Sequence, residues 1–464
     1  MGDDGVDDLL RSAVRAGNAE AVRDLLERGA DPDTVGGDGL PVLCQAVAAY
    51  DVPVAEALVD GGADPDSVLP DGTTPLWRAV DGGSPAVLSA VLGREPRLRI
   101  PEPARERLLA LARSRHEAGP VEELRRRTGA SGPATTVRVA DGEHGWVEQV
   151  SLGGLAVRAG HGAVLTSLEW AFRVLTPVGE LIARAVGRPD SAHVDWTAVC
   201  WTLTERRSFE TWSAVVAFRH APDRARRLFV ADHLNTRALL GLRHGHEEKE
   251  AGLLALWAAE ETDGEVLAKV LEAFAGHDHP DREAVALRHA GHPDPRVRRE
   301  VPAALGEDEG ARTPAARDVL LTLMHDADAR VRLGACAACS RDDAQLSEVT
   351  RTLLSLTADT DSEVRYDAAT ALSGSRDRTP AVADALAALL DDDSPLLRLE
   401  AAYGLALRDD PRTAGAIERV GPLERDFEED HRVRALWRWR ERNRRPPAEW
   451  TLSGVSARPD DPAG

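Results

Sequence analysis

The sequence of 464 residues predicts an all-α protein in which two tandem α-solenoids are joined by a small α/β module. Two internal repeats, one in each half of the chain, recur at a nearly constant offset. Each repeat contains two short segments with the apolar periodicity of helices. Hydrophobic residues make up 43% of the chain but aromatic residues only 4%, so the core is expected to consist of packed aliphatic helices.

The N-terminal half carries a turn motif that recurs at a fixed offset. Gly-Ala-Asp-Pro-Asp occupies residues 29–33 and again residues 62–66, and the Asp-Gly pair at 38–39 recurs at 71–72. Glycine ends a helix where positive φ is needed, and Asp-Gly suits a tight hairpin-like turn. The motif therefore predicts units that each contain a turn and a pair of short helices.

The second Asp-Gly turn is followed by Thr-Pro-Leu-Trp at residues 74–77. Thr74 is placed to cap a helix that has Pro75 in its first turn. Period, turn and Thr-Pro-Leu together resemble the ankyrin repeat, which implies stacked helix pairs. The family's histidine after leucine is Trp77 here, and Leu-Pro-Val-Leu-Cys at 40–44 replaces the motif in the preceding unit.

The C-terminal half carries a second repeat. Its aligned apolar residues are 34, 33 and 33 positions apart, at Val297, Val331, Val364 and Leu397. Each one opens an alanine-rich helix, and another helical segment precedes it. This pattern resembles HEAT repeats of the short bacterial, PBS-lyase-like kind. Four units are clear, and weaker ones precede them.

An arginine directly follows each aligned position of the second repeat, at Arg298, Arg332, Arg365 and Arg398. The aspartates of each motif stand at a helix start, where they cap the helix and meet its macrodipole. We expect each arginine to reach an aspartate of the neighbouring repeat. The arginines would then form a structural ladder along the stack.

The segment between the repeats fits neither pattern and predicts a small α/β junction. Alternating residues at 137–139, 148–152 and 155–157 predict three short strands, and helical segments follow. The domains expected are an ankyrin domain with three clear units and a degenerate cap, the junction, a HEAT solenoid and a disordered tail, over 1–130, 131–189, 190–446 and 447–464.

Charge and residue usage exclude several functions. A net charge of −21 disfavours sequence-independent binding to nucleic acid unless a local basic face exists. Lys249 and Lys269 are the only lysines, which is typical of a high-GC bacterial genome, and without a Gly-Lys pair there is no Walker A loop. A secretory signal, a long apolar run and a cysteine framework are all missing. We expect a cytoplasmic bacterial protein without a membrane span.

Two groups of residues suggest metal or redox chemistry. Cys336 and Cys339 form a Cys-x-x-Cys pair on one face of a predicted helix, but no second pair accompanies them, which favours a place in the core. Histidine pairs occur at 244/246, 277/279 and 289/292. Deoxyhypusine hydroxylase, a HEAT-repeat enzyme, holds iron with four His-Glu dyads, and this array lacks such a set. We therefore expect neither a metal nor another cofactor.

Nucleic-acid binding is an alternative function. Residues 434–440, Arg-Ala-Leu-Trp-Arg-Trp-Arg, interleave arginines with tryptophans that could stack on bases. HEAT-like DNA glycosylases wrap duplex DNA with a basic concave face. The competing interpretation is a terminal helix whose tryptophans cover the last repeat while its arginines stay solvated. The overall acidity favours this cap, so nucleic acid is not the expected partner.

A weaker alternative is a regulatory or enzyme subunit with its site in residues 131–189. The titratable side chains there are Asp141, Glu143, His144, Glu148 and His161. Nothing in their spacing defines a nucleophile, a base and an orienting group. The Gly-x-Ser-x-Gly, His-Glu-x-x-His and dinucleotide motifs are also absent. We therefore expect no enzyme.

The first hypothesis is a non-enzymatic scaffold or adaptor that binds a protein through the concave surfaces of its repeats. The net charge favours a partner with a basic patch or a basic disordered segment. The candidate contact residues lie at the ankyrin loop tips: Val35, Leu69, Asp71, Trp77 and Arg78. The sequence leaves open the partner's identity, the pathway, the oligomeric state and which solenoid carries the site.

Overall fold

The structure is a computed structural model that describes residues 3–143, 145–241, 246–305, 312–423, 427 and 430–444. The chain divides into two compact units, residues 1–257 with 261–277 and residues 258–260 with 278–464. The predicted tail at 447–464, His144 and His244 lie outside the described residues.

The described part of the first unit begins with a run of helices and continues with strands and further helices. The first helices are α1 Asp3–Arg15, α2 Ala19–Glu27, α3 Val42–Ala49, α4 Val52–Asp60, α5 Pro75–Gly82, α6 Pro85–Leu92, α7 Pro96–Arg99, α8 Glu102–Ala118 and α9 Pro120–Thr128. The strands are β1 Thr135–Ala140, β2 Trp146–Leu152 and β3 Leu155–Arg158. The later helices are α10 His161–Ala171, α11 Val178–Val186, α12 Val194–Glu205, α13 Phe209–Val216, α14 Arg224–Leu239, α15 Glu247–Glu260 and α16 Gly264–Ala275. The last three residues of α15 belong to the second unit.

The N-terminal helices stack in two layers. Helices α1, α3, α5 and α8 pack in that order, and α2, α4 and α6 form the layer behind them. Leu10, Leu43 and Leu76 occupy the same position of three successive units and are all fully buried in the shared core. The stack is built by repetition because the same apolar position meets its copy in the next unit.

Polar turns join these units in the same repeating manner. Asp33 Oδ1 accepts a hydrogen bond from the backbone N–H of Asp64, 2.8 Å away in the next unit. Asp7 Oδ1 accepts one from the backbone N–H of Asp31 at 3.0 Å. Thr74 Oγ1 caps α5 through the backbone N–H of Trp77, as the sequence predicts. The aspartates of the repeated turn therefore satisfy backbone groups that would otherwise be unpaired.

The junction contains the three predicted strands in one antiparallel sheet of order β1-β2-β3. Thr136 pairs with Val150, and Val150 pairs with Val157 on its other side. Helix α9 packs on β2 and β3, and α10 packs against both α8 and α12. The helical half of the junction thus continues the stacking of the preceding helices inside the first unit.

The second unit consists of helix pairs. They are α17 Arg282–His289, α18 Pro295–Leu305, α19 Pro314–Leu323, α20 Ala329–Ala338, α21 Leu346–Leu356, α22 Ser362–Gly374, α23 Pro380–Ala388, α24 Pro395–Leu407, α25 Thr413–Val420 and α26 His431–Arg444. Helices α18, α20, α22, α24 and α26 pack on one another in chain order. Val297, Val331, Val364 and Leu397 are all buried, as their alignment predicts.

Three of the four ladder arginines reach an aspartate of the next repeat. Arg298 pairs with Asp326, Arg332 with Asp359 and Arg365 with Asp392. Arg398 is the exception, because its guanidinium donates to the backbone carbonyls of residues 419 and 420. These carbonyls belong to the C-terminal end of α25, where positive charge is favoured.

The fold class is therefore the predicted one, a chain of stacked helix pairs with one small three-stranded sheet in the part that the structure describes. Among the described residues, none of the helices is both long enough and apolar enough to cross a bilayer.

Candidate functional site

Two exposed valines stand at equivalent places on consecutive turns of the N-terminal stack. Val35 is 49% exposed, and Val68, its counterpart in the next unit, is 79% exposed. Leu69, the neighbour that we selected from the sequence, is only 4% exposed and packs inward. Leu69 therefore does not present its side chain to a partner. Applying the offset between the repeats to Val35 identifies Val68 in its place.

Two aspartates repeat on the same turns. Asp38 Oδ1 accepts the backbone N–H of Leu40 at 3.1 Å, and Asp71 Oδ1 accepts that of Thr73 at 3.0 Å. Both aspartates are exposed. Burial raises the pKa of the Cys44 thiol, the charge of Arg78 lowers it, and the charges of Asp38 and Asp71 raise it further. We call Val35, Asp38, Val68 and Asp71 the turn surface.

Arg78 is attached to this surface through Asp71. Its Nη2 lies 2.9 Å from Asp71 Oδ2, and its Nε donates to Thr73 Oγ1 at 3.3 Å. Hydrogen bonds from Thr73 and Arg78 lower the pKa of Asp71, so this carboxylate is ionised at neutral pH. Trp77 is half-buried and packs against the core of the stack. The structure therefore brings Asp71 and Arg78 together, and it places Trp77 partly inside.

Two of the titratable residues of the junction, Asp141 and His161, hold that module to the ankyrin-like stack. Asp141 accepts hydrogen bonds from Ser84 Oγ at 2.5 Å and from the backbone N–H of Ala86 at 3.0 Å, and it pairs with Arg158. His161 is buried with its Nε2 3.2 Å from the carbonyl oxygen of Asp81. Burial lowers the pKa of His161 to about 4, so the ring is neutral and donates to that carbonyl. These contacts are structural.

Backbone contact reinforces this attachment. The backbone N–H of Gly160 donates to the carbonyl of Gly83 at 3.0 Å. Gly83 has φ +76°, and a Cβ there would lie 2.1 Å from the carbonyl oxygen of Arg158. Only glycine fits this position, because both the backbone conformation and the space exclude a side chain.

The cysteines and histidines form no metal cluster within the described ranges. Cys336 and Cys339 are both buried, and burial raises the pKa of each thiol, to about 12 for Cys336. Such thiols stay protonated and are poor nucleophiles and poor metal ligands. The Cys-x-x-Cys pair is thus part of the core, as the lack of a second pair favours.

Helix α26 presents one face to the repeats and one to solvent. Trp439 is 7% exposed and Leu436 is also buried, whereas Trp437 is 59% exposed. Arg438 and Arg440 are exposed as well. The helix therefore has the contacts expected of a cap, and its outer face carries one tryptophan beside arginines.

Comparisons with known proteins agree with the repeats. Residues 10–100 match the model of ankyrin repeats (3 copies), and residues 253–340 and 318–406 match the model of HEAT repeats. The predicted order, ankyrin repeats followed by HEAT repeats, is confirmed. A comparison with curated proteins finds no match. The X-ray structure of YibA from Escherichia coli, a structural genomics target, aligns over 57% of this chain and 92% of its own at 18% identity, with a TM-score of 0.42.

Proposed function

We propose that this chain, which carries ankyrin repeats followed by HEAT repeats, is a non-catalytic cytoplasmic adaptor that binds a protein partner through the turn surface. Both repeat classes typically serve as protein-interaction scaffolds. The observation that carries the proposal is the repetition of an exposed valine and an exposed aspartate at equivalent positions of consecutive units.

The chemistry of the turn surface fits a basic segment that also carries apolar side chains. Val35 and Val68 supply apolar area, while Asp38 and Asp71 supply negative charge. Arg78 already pairs with Asp71, and Asp38 has no ion pair with any residue that the structure describes. Asp38 is therefore the stronger site for a lysine or arginine of the partner. The net charge of −21 steers a basic partner toward the chain.

The test is an affinity capture from a lysate of the native organism, with the full chain as bait and mass spectrometry as readout. The variant Val35→Ser/Val68→Ser removes the apolar part of the surface, and Asp38→Asn removes the free charge. Leu98→Ser is the matched control because Leu98 is 80% exposed but lies outside the turn surface.

A protein retained by the wild type and the control but lost from both variants supports the proposal. A partner retained equally by all baits contradicts it and moves the binding site to another surface of the chain.

The outer face of α26 favours a second candidate function, binding of single-stranded nucleic acid. Trp437, Arg438 and Arg440 are exposed together on this helix. Arginines bind phosphates, and an exposed tryptophan can stack on a base. If this function holds, affinity for an oligonucleotide falls steeply as salt rises and is lost in Trp437→Ala and Arg438→Gln. Equal, weak retention of the oligonucleotide by wild type and variants excludes it.

A further inference from the structure

A cavity of about 400 Å³ lies among helices α8, α10, α11 and α12 of the first unit. Its volume falls in the range of small-molecule sites. The adaptor function uses none of its side chains. The polar residues that line it carry charges of both signs: Arg113, His116, Glu117, Glu180, Arg184, Arg188 and Asp195.

Asp195 is the buried acid of the cavity. Its side chain is 3% exposed, and its Oδ1 accepts the backbone N–H of Ala163 at the start of α10, at 2.6 Å. Gly162 permits this approach, because a Cβ there would lie 2.7 Å from the carboxylate. The second oxygen, Oδ2, is 3.6 Å from Arg188 Nη1, beyond hydrogen-bond distance. Oδ2 also lies 3.9 Å from His193 Nδ1, so within the described ranges it has long contacts but no hydrogen bond, and burial raises the pKa of this carboxyl.

The basic groups on the other side have spare donors. Arg113 is half exposed, and its contact with Glu169 is a long one of 3.6 Å. Arg188 uses Nε for Glu148 at 3.1 Å, while its Nη1 has only the long contact with Asp195 among the described residues. His116 makes no hydrogen bond within the described ranges, and burial lowers its pKa, so it offers a neutral imidazole.

Arg184 differs from Arg113 and Arg188 because its guanidinium donors are already used within the protein. It donates to the buried Glu169 at 2.6 Å and to Thr166 at 3.3 Å, and it pairs with Glu180 at the cavity's edge. This buried cluster holds α10 and α11 together. Arg184 forms a wall of the cavity, and the polar groups with unused capacity are then Arg113, Arg188, His116, Asp195 and the exposed Glu117.

The two signs of charge decide the class of ligand. An anion at Arg113 and Arg188 would compete with Asp195 for Arg188 and would desolvate a buried carboxylate that has only long contacts with basic groups, which is costly. A cation at Asp195 alone would leave unused the donors of Arg113 and Arg188 that their contacts with Glu169 and Glu148 do not fill. A ligand with both charges satisfies both sets.

We propose that this cavity binds a free α-amino acid, with the ammonium group at Asp195 and the carboxylate at Arg113 and Arg188. Arg113, at the exposed side of the cavity, captures the carboxylate, and Asp195 lies deeper. The apolar walls from Leu165 and Ala183 leave room for a side chain. This site is independent of the turn surface and would add small-molecule sensing to the adaptor.

The experiment is a titration of the full chain with each of the 20 free L-amino acids, read by calorimetry and by thermal shift. Two single-charge analogues of any binder, its decarboxylated amine and its deaminated acid, test the requirement for both charges. Arg113→Gln and Asp195→Asn remove one side each. Arg107→Gln is the control, because Arg107 is an exposed arginine of the same helix outside the cavity.

We expect at least one amino acid to bind, both analogues to bind at least tenfold more weakly, and Arg113→Gln to lose a similar factor while Arg107→Gln does not. Because Asp195 also caps α10, circular dichroism checks that Asp195→Asn is folded, and Arg113→Gln carries the test if it is not. Binding of none of the 20, equal binding of an analogue, or unchanged binding in Arg113→Gln overturns the proposal.

Discussion

Arg298 and Asp326 form a bidentate pair between consecutive repeats. Arg298 Nε lies 2.7 Å from one carboxylate oxygen and Nη2 lies 2.7 Å from the other. The same arginine donates through Nη1 to the carbonyl oxygen of His292 in its own loop, at 2.7 Å. One side chain thus fixes the loop of its own repeat and attaches it to the next, and the side chains of both partners are at most 15% exposed.

Loss of this ladder arginine should destabilise the second unit. We predict that Arg298→Ala lowers the free energy of unfolding by about 2–3 kcal/mol, because a partly buried, charge-assisted hydrogen-bond pair is lost. Arg296→Ala should cost less than about 1 kcal/mol, since its pair with Asp294 is exposed. Urea unfolding followed by circular dichroism measures both, and equal effects of the two substitutions would contradict the structural role of the ladder.

The contact of Gly83 with the junction should not tolerate a methyl group. We predict that Gly83→Ala lowers the melting temperature far more than Gly39→Ala does. Both glycines have positive φ, +76° and +79°, so both substitutions carry a conformational cost of about 1 kcal/mol. Only Gly83 has atoms in the way, at 2.1 Å, whereas nothing lies within 4 Å of a Cβ at Gly39. Similar melting temperatures for the two variants would show that the junction is not attached here.

The stability of the first unit should depend on pH through His161. Burial lowers its pKa from 6.5 to about 4, so the unfolded chain binds the proton more readily. The stability that comes from burying the neutral imidazole is therefore complete above pH 6.5 and is lost as the pH falls toward 4. The loss amounts to about 3 kcal/mol.

We predict that His161→Gln flattens this part of the pH profile, as measured by urea unfolding between pH 7 and pH 4.5. His220→Gln serves as the exposed-histidine control. If the unfolding free energy of the wild type and of His161→Gln depended on pH with the same slope, His161 would not be the source of the pH dependence.

The two tryptophans of α26 should separate capping from recognition. We predict that Trp439→Ala destabilises the second unit by about 3–5 kcal/mol, because a large buried side chain is removed from the core. Trp437→Ala should change stability by less than about 1 kcal/mol, because its ring is 59% exposed. Thermal and urea unfolding give both values. If Trp437→Ala were the more destabilising substitution, the face of α26 that carries Trp437 would form the cap.

Periodicity predicted the parts of the fold that depend on repetition. Leu10, Leu43 and Leu76 are buried because one apolar position serves the same contact in each unit, and this regularity is visible in the sequence. The burial of Leu69 was missed, since a turn places adjacent residues on opposite sides and sequence spacing alone does not say which faces solvent. The partner of Arg398 was predicted wrongly because no further copy of the repeat motif, with its aspartate, follows this arginine. Its guanidinium donates to backbone carbonyls at the end of α25 instead.

The cavity could not be predicted in the same way. Its polar groups come from α8, from α11 and the loop that follows it, and from α12, and Arg113 and Asp195 are far apart in the sequence without any repeat that relates them. Their approach depends on the sheet and on α10, which no periodic pattern aligns. No sequence pattern marks His116 or Asp195 as a binding residue. Only the packing of the helices brings the two side chains to the same cavity.

Hydrogen–deuterium exchange of the full chain, alone and with the captured partner, tests the adaptor account most directly. The account predicts that the partner slows exchange at the backbone amides of residues 35–40 and 68–73, the two turns that carry Val35, Asp38, Val68 and Asp71. Protection confined to α26, to the sheet or to the second unit, with those turns unchanged, would contradict it.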